Sequence, residues 1–185
     1  MKFLVTLNLV LLLTACANFI PFKKPQKVEV VIGPNVKIEY TGKAAGAGMM
    51  LSSSMGPMGM AIGVAIDVGI GKEIQKNAES NQISLAQVLK EQLESAELPN
   101  VSSIALEITK IEFKSARGEG DPTSLNVELQ VSKNGKKGTV FSIEQSAKLA
   151  TKTYQLNELK TVPGTVKMAY SDWSMKFSAY LKAVK

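Results

Sequence analysis

The chain predicts an α+β fold, in which amphipathic helices lie on one face of an antiparallel sheet and a Gly/Met-rich helical hairpin is inserted. Three patterns carry this. Apolar and polar residues alternate around Val28, Val30 and Ile32, around Ile104, Leu106 and Ile108, and from Leu125 through Val127 and Leu129 to Val131. That two-residue period belongs to strands with one buried face. Leu85, Val88, Leu89, Leu93 and Ala96 recur at helical spacing, as do Val166, Tyr170, Trp173, Phe177, Leu181 and Val184, each set forming one apolar stripe. Third, a run of 23 residues from Ala44 to Ile66 carries no charge.

Taken in order, the first strand signal continues through Val36, Ile38 and Tyr40 after Gly33-Pro34-Asn35. Two short strands or one bent strand fit, since Pro34 cannot hold a central ladder position. The uncharged run is long enough by count to span a membrane, but it is rich in Gly, Ala, Ser and Met, and Gly56-Pro57 breaks it into two pieces too short to cross alone. A helical hairpin within 42–71 is expected. Small residues at four-residue spacing (Gly42/Gly46, Ser52/Gly56, Gly59/Gly63, Ala61/Ala65/Gly69) allow close helix approach. Met49, Met50, Met55, Met58 and Met60 fall here too, and methionine surfaces adapt to irregular partners. Two uses are open: a self-associating, partner-binding or membrane-dipping element, or private packing with glycines at the seam and methionines filling gaps.

Ser84 with Gln87 three residues on predicts a capping box for the next helix, which Pro99-Asn100 stops. Ile111 and Phe113 continue the strand pattern on the opposite parity from Ile108, which predicts a bulge near Thr109 or a second half that buries its other face. Residues 118–122 form a turn. Asn134-Gly135 marks a hairpin. A two-residue loop would set Val127 opposite Ser142, so a three-residue loop, Lys133 to Gly135, is expected instead, pairing Val127 with Phe141 and Leu125 with Ile143. The returning strand should run towards Leu149, residues 150–164 should be mostly loop, and a long helix holding Trp173 should end the chain.

At the N-terminus, Met1-Lys2 precedes an apolar stretch from Phe3 to Leu13, and Thr14-Ala15-Cys16 follows. Eleven helical residues cover roughly 16 Å, half a bilayer's hydrocarbon, so residues 1–15 read as a signal peptide, not a span. Leu13-Thr14-Ala15-Cys16 resembles the lipobox of bacterial lipoprotein precursors. The resemblance implies a diacylglycerated Cys16, cleavage before it and usually an acylated amine, and two or more acyl chains give stable anchoring. Ala17, in place of an aspartate, implies the outer membrane. Residues 16–27, with Pro21, Pro25 and three lysines, read as a lipidated tether, and residues 28–185 as one domain.

Composition removes most chemistry. The chain has no histidine and one cysteine, so His-based catalytic triads and the usual zinc sites are excluded. Its net charge is +6, but Arg117 is the only arginine among 22 basic residues, which argues against bidentate recognition of phosphates or bases. Glu119 and Asp121 in a turn could ligate a hard cation, although turn chemistry alone explains them. Asp67 follows the uncharged run and shares a helical face with Gly63 and Gly71; a helix-end or surface role competes with a buried functional acid. Eight basic residues from Lys110 to Lys152 could line one sheet face or simply be solvated. No catalytic residue, cofactor, metal or nucleic-acid partner is expected.

A long C-terminal helix over a three-strand meander is similar, in element order only, to small outer-membrane lipoproteins such as the lipopolysaccharide-assembly lipoprotein and the auxiliary lipoproteins of lipid-transport systems. The first expectation is a non-enzymatic, periplasm-facing accessory or scaffold lipoprotein whose partner surface, for an envelope protein or for itself, includes Gly59, Gly63, Met55, Met58 and Met60. The alternative is a lipid-binding or lipid-transfer module that uses the same segment to cover a groove.

Overall fold

The computed structural model describes residues 22–116, 120–150 and 152–184. The signal peptide, Cys16 and the first half of the tether (residues 16–21) therefore lie outside the described residues, as do Arg117 and Glu119. In chain order the elements are β1 (Phe22–Lys23), β2 (Lys27–Ile32), β3 (Ile38–Thr41), α1 (Lys43–Met55), α2 (Pro57–Ser80), α3 (Leu85–Ser95), β4 (Leu98–Pro99), β5 (Ser103–Ser115), β6 (Pro122–Lys133), β7 (Lys136–Phe141), α4 (Ile143–Leu149), β8 (Tyr154–Gln155), α5 (Leu156–Thr161) and α6 (Pro163–Ala183).

The fold is α+β, with a mostly antiparallel six-stranded sheet built on β5 and β6. Its one parallel edge differs from the expected all-antiparallel arrangement. β2 pairs with the first half of β5 (Val28 beside Ile104) and β3 with the second (Ile38 beside Ile111), both parallel. Three helices separate β3 from β5, and a crossover of that length is what parallel pairing requires. β2 and β3 are thus two halves of one edge, separated at Pro34, with Gly33 N–H donating to the Ile108 carbonyl at 2.9 Å.

The parity change in β5 is a bulge at Thr109, where the register with β6 shifts between Ile108 and Lys110. Ile104, Leu106, Ile108, Ile111 and Phe113 are consequently all buried on one face. The second hairpin corrects two expectations. Asn134 and Gly135 form a two-residue turn with φ of 52° and 74°, and Lys133 pairs with Lys136. The register mismatch is absorbed further along, by a bulge between Gln130 and Ser132 that sets Phe141 opposite Leu129. Gly138 makes this bulge possible, because a Cβ there would lie 2.3 Å from the Val131 carbonyl oxygen.

β7 ends at Phe141, so the strand does not continue to Leu149 and Ile143 does not face Leu125. Ser142 instead opens α4 with a full capping box, its amide donating to Gln145 Oε1 at 2.9 Å and its hydroxyl accepting from Gln145 N–H at 3.3 Å. At Ser84 the helix begins as expected, but its side chain makes no capping hydrogen bond, and Gln87 donates to Glu91 at 3.0 Å. Residues 150–164 are not mostly loop, since they hold β8 and α5.

The helices cover one face of the sheet. Leu89 and Leu93 of α3 and Trp173 and Phe177 of α6 are buried there with Leu106, Phe113 and Leu129. Phe141 stands edge-on to Phe177 with centroids 5.1 Å apart, and Trp173 stacks on Phe177 at 5.2 Å. Where β7 stops short, α4 continues the sheet edge: Ser146 Oγ accepts from the Val127 amide and from Trp173 Nε1, both at 2.8 Å. The opposite face carries polar residues of both signs. Lys110 sits 3.2 Å from Glu39 and 3.8 Å from Glu112, while Lys133, Lys136 and Lys137 cluster at the hairpin turn. The lysines do not form one basic face.

Candidate interaction surface

α1 and α2 form the hairpin expected from the Gly/Met run, with Gly56 at φ 57° between them. Its seam is built on missing side chains. A Cβ at Gly59 would lie 2.4 Å from the Leu51 carbonyl carbon, and one at Gly63 would lie 2.6 Å from the Ala44 carbonyl oxygen. Both glycines are buried. They recur at four-residue spacing with Asp67 and Gly71, so one stripe of α2 first meets α1 and then meets β3, where a Cβ at Gly71 would lie 2.8 Å from the Ile38 carbonyl oxygen.

Asp67 marks the crossing point. Its carboxylate accepts the backbone N–H groups of Gly42, Lys43 and Ala44 at 3.2, 3.0 and 2.9 Å. These are orphan donors at the start of α1, and an anion there also complements the helix dipole. Asp67 is therefore a capping group supplied from the neighbouring helix, buried to 7% exposure. Lys43 pairs outward with Asp121 at 2.5 Å, and that hydrogen bond raises the Lys43 ammonium pKa. Asp121 is thus engaged with a lysine.

These contacts fix the direction of the hairpin. Moving along α2, Gly63 faces Ala44, Asp67 caps residues 42–44 and Gly71 meets Ile38, so α2 runs antiparallel to β3. Its second half is held by the domain: Asn77 donates to the Leu159 carbonyl of α5 at 2.8 Å, and Lys160 lies 2.7 Å from Glu73. The residues before Asp67 extend past the end of the sheet together with α1. Ten residues of helix make an arm about 15 Å long.

The arm's exterior is apolar. Met50 is 79% exposed, Met49 68%, and Met58 and Met60 64% each, with Val64 and Val68 also open. Met55 is exposed at the tip. The five candidates named from sequence thus separate into two kinds: Gly59 and Gly63 lie in the seam, while Met55, Met58 and Met60 face outward. A helix apolar all round normally lies inside something, and a contiguous exposed patch of this kind normally marks an interaction surface. Among the described residues no helix is long and apolar enough to cross a membrane.

One polar cluster had no sequence signal. Lys152 and Tyr154 both hydrogen-bond the Asp172 carboxylate, Lys152 at 2.9 Å. Burial opposes ionisation of Asp172, but the hydrogen bonds from Tyr154 and Lys152 outweigh it and hold the carboxyl below its ordinary pKa. Burial and the same carboxylate push the Tyr154 phenol up. The cluster ties the β8 segment to α6, and Asp172 lies 20 and 18 residues after Lys152 and Tyr154, beyond any local pattern. Among the described residues no group of three or more acidic or thiol side chains could hold a metal ion. Compared with known proteins, the chain matches no family model, no curated protein and no solved structure.

Proposed function

We propose that this chain is a non-enzymatic envelope lipoprotein, anchored in the outer membrane through acylated Cys16 and facing the periplasm, in which the α1–α2 arm binds a protein partner or a second copy. The observation that carries the reading is an uncharged, solvent-exposed arm at the end of the sheet opposite the tether. Phe22 pairs with Pro99 just before β5 begins, whereas the arm leaves beside Lys114 near the end of β5. Thirteen strand residues and the arm together span about 55 Å, at roughly 3.3 Å per strand residue and 1.5 Å per helical residue. Residues 16–21 reach at most about 20 Å. An upright domain thus holds the arm away from the anchoring leaflet, which favours a protein contact over a dip into that lipid.

Photo-crosslinking in intact membranes tests this. A benzophenone side chain at Met50 or Met58 should give discrete protein adducts, and one at Val140, exposed on β7, should not. Adducts to lipid alone from the arm would favour the lipid-binding alternative, and equal labelling from all three sites would overturn the assignment of the arm.

A further inference from the structure

A second feature lies away from the arm. The loop between β2 and β3, the C-terminal half of α2 and the turn into α3 enclose a pocket of about 310 Å³. Ile38, Ala78, Ile83 and Ile111 supply apolar lining, Tyr170 of α6 also lines it, and Gln75, Gln82 and Ser84 add polar groups. The volume sits at the small end of the range for ligand pockets, and apolar walls with few polar groups are their usual chemistry.

Tyr170 brings a phenol to the pocket. The residue is 2% exposed, yet its hydroxyl has no hydrogen-bond partner among the described residues. The fully enclosed, unpaired side-chain polar atoms among those residues are Asn126 Oδ1 and Ser174 Oγ. The Tyr170 hydroxyl is not one of them, so it keeps a sliver of accessible surface, and Tyr170 is among the residues that line the pocket. Burial raises the phenol's pKa, which keeps it protonated and able to donate. A largely buried donor without a protein partner keeps a desolvation cost that a ligand acceptor would relieve.

We propose that this pocket binds a small fatty-acyl ester, its alkyl chain against the isoleucines and its carbonyl oxygen accepting the Tyr170 hydroxyl proton. An ester fits better than a free acid. The rim holds one lysine, Lys37, and one glutamate, Glu79, so it offers no net positive charge for a carboxylate, and burying an unpaired carboxylate in apolar surroundings is costly. The site is independent of the arm and of anchoring.

The test uses the full chain carrying Cys16→Ser, with carbonyl-labelled methyl octanoate and, separately, octane as probes followed by NMR. The ester should bind with its carbonyl carbon shifted downfield, and octane should bind more weakly. Tyr170→Phe should remove the carbonyl shift and weaken the ester about three- to tenfold while leaving octane binding unchanged. Ile83→Trp, which fills the pocket from its half-buried rim, should abolish both. Equal weakening of ester and octane by Tyr170→Phe, an unchanged carbonyl shift in that variant, or no binding by the parent chain would each overturn the proposal. A thermal unfolding curve for each variant separates loss of the site from loss of the fold.

Discussion

Replacing Gly63 and Gly69 by alanine, one at a time, separates close helix contact from helix propensity. Both lie in the interior of α2, and both substitutions gain the same intrinsic helix stability, about 0.8–1.0 kcal/mol. They differ in what the new methyl meets. At Gly69 nothing lies within 4 Å. At Gly63 the Cβ would lie 2.6 Å from the Ala44 carbonyl oxygen and 3.0 Å from the Gly48 Cα and amide nitrogen, so the seam must open by nearly 1 Å towards ordinary contact at 3.4 Å or more. All three atoms belong to backbone and cannot rotate away. Overpacking of this kind costs about 1–3 kcal/mol. Gly69→Ala should therefore stabilise α2 by about 1 kcal/mol, and Gly63→Ala should come out neutral to about 2 kcal/mol destabilising for the arm. Propensity cancels in the comparison, leaving the seam cost, a factor of about 5 to 150 at 1.4 kcal/mol per tenfold. Native-state hydrogen exchange of the α1 amides reads that factor directly. Exchange rates within twofold of each other in the two variants would refute the seam.

Ser146→Ala removes the one acceptor shared by the Val127 amide and Trp173 Nε1, leaving two buried donors unpaired at about 1–3 kcal/mol each. Urea unfolding followed by Trp173 fluorescence should show a loss of about 2–4 kcal/mol, and a loss below about 1 kcal/mol would mean that water or a neighbour replaces the hydroxyl. The Asp172 cluster makes stability depend on pH. A carboxyl whose folded pKa is depressed stabilises the native state above its unfolded pKa and loses that contribution as pH falls through the folded value. Stability should therefore decline below about pH 4, and Asp172→Asn should be less stable at neutral pH with a flatter acid limb. Parallel acid limbs in the two proteins would refute the linkage.

Much of the sheet is legible in the sequence because its two-residue period is strict. Even the bulge at Thr109 shows as a change of parity between Ile108 and Ile111, since the core accepts only one face. The second bulge was hidden for the complementary reason. Pairing Phe141 with a buried neighbour requires one extra residue somewhere between Val131 and Phe141, and both a longer turn and a bulge at Gly138 supply it. Only the 2.3 Å approach to the Val131 carbonyl, a tertiary fact, distinguishes them. Ser142 and Gln145 do carry a readable capping box, but Val140, Ser142 and Glu144 also continue an alternating pattern with Phe141 and Ile143, so strand and helix signals compete there. Asp67 stands out in the sequence by its position, whereas its partners, 23 to 25 residues earlier, depend on the hairpin closing. In the sequence Tyr170 is one member of an apolar stripe; its unpaired hydroxyl becomes visible only when α6 lies across the sheet.

α2 contains its own control for the reading of the arm. From Gly71 onward, where β3 and α5 hold one side of the helix, its solvent side carries Lys72, Glu73, Lys76 and Glu79, all exposed. Before Asp67, where the helix leaves the sheet and solvent surrounds more of it, charge would be expected to increase. Instead Met58, Met60, Val64 and Ile66 are exposed and no charged residue occurs. Seam packing does not account for this, because Gly59 and Gly63 make the seam and the methionines face away from it. Nor does helix formation, since lysine and glutamate are as good helix formers as methionine. A surface that stayed in water would lose nothing by carrying charges, whereas one that is covered would pay a desolvation penalty for each. The change of exterior therefore falls where α2 stops covering its own sheet, and it supports the proposal that a partner covers the arm from there.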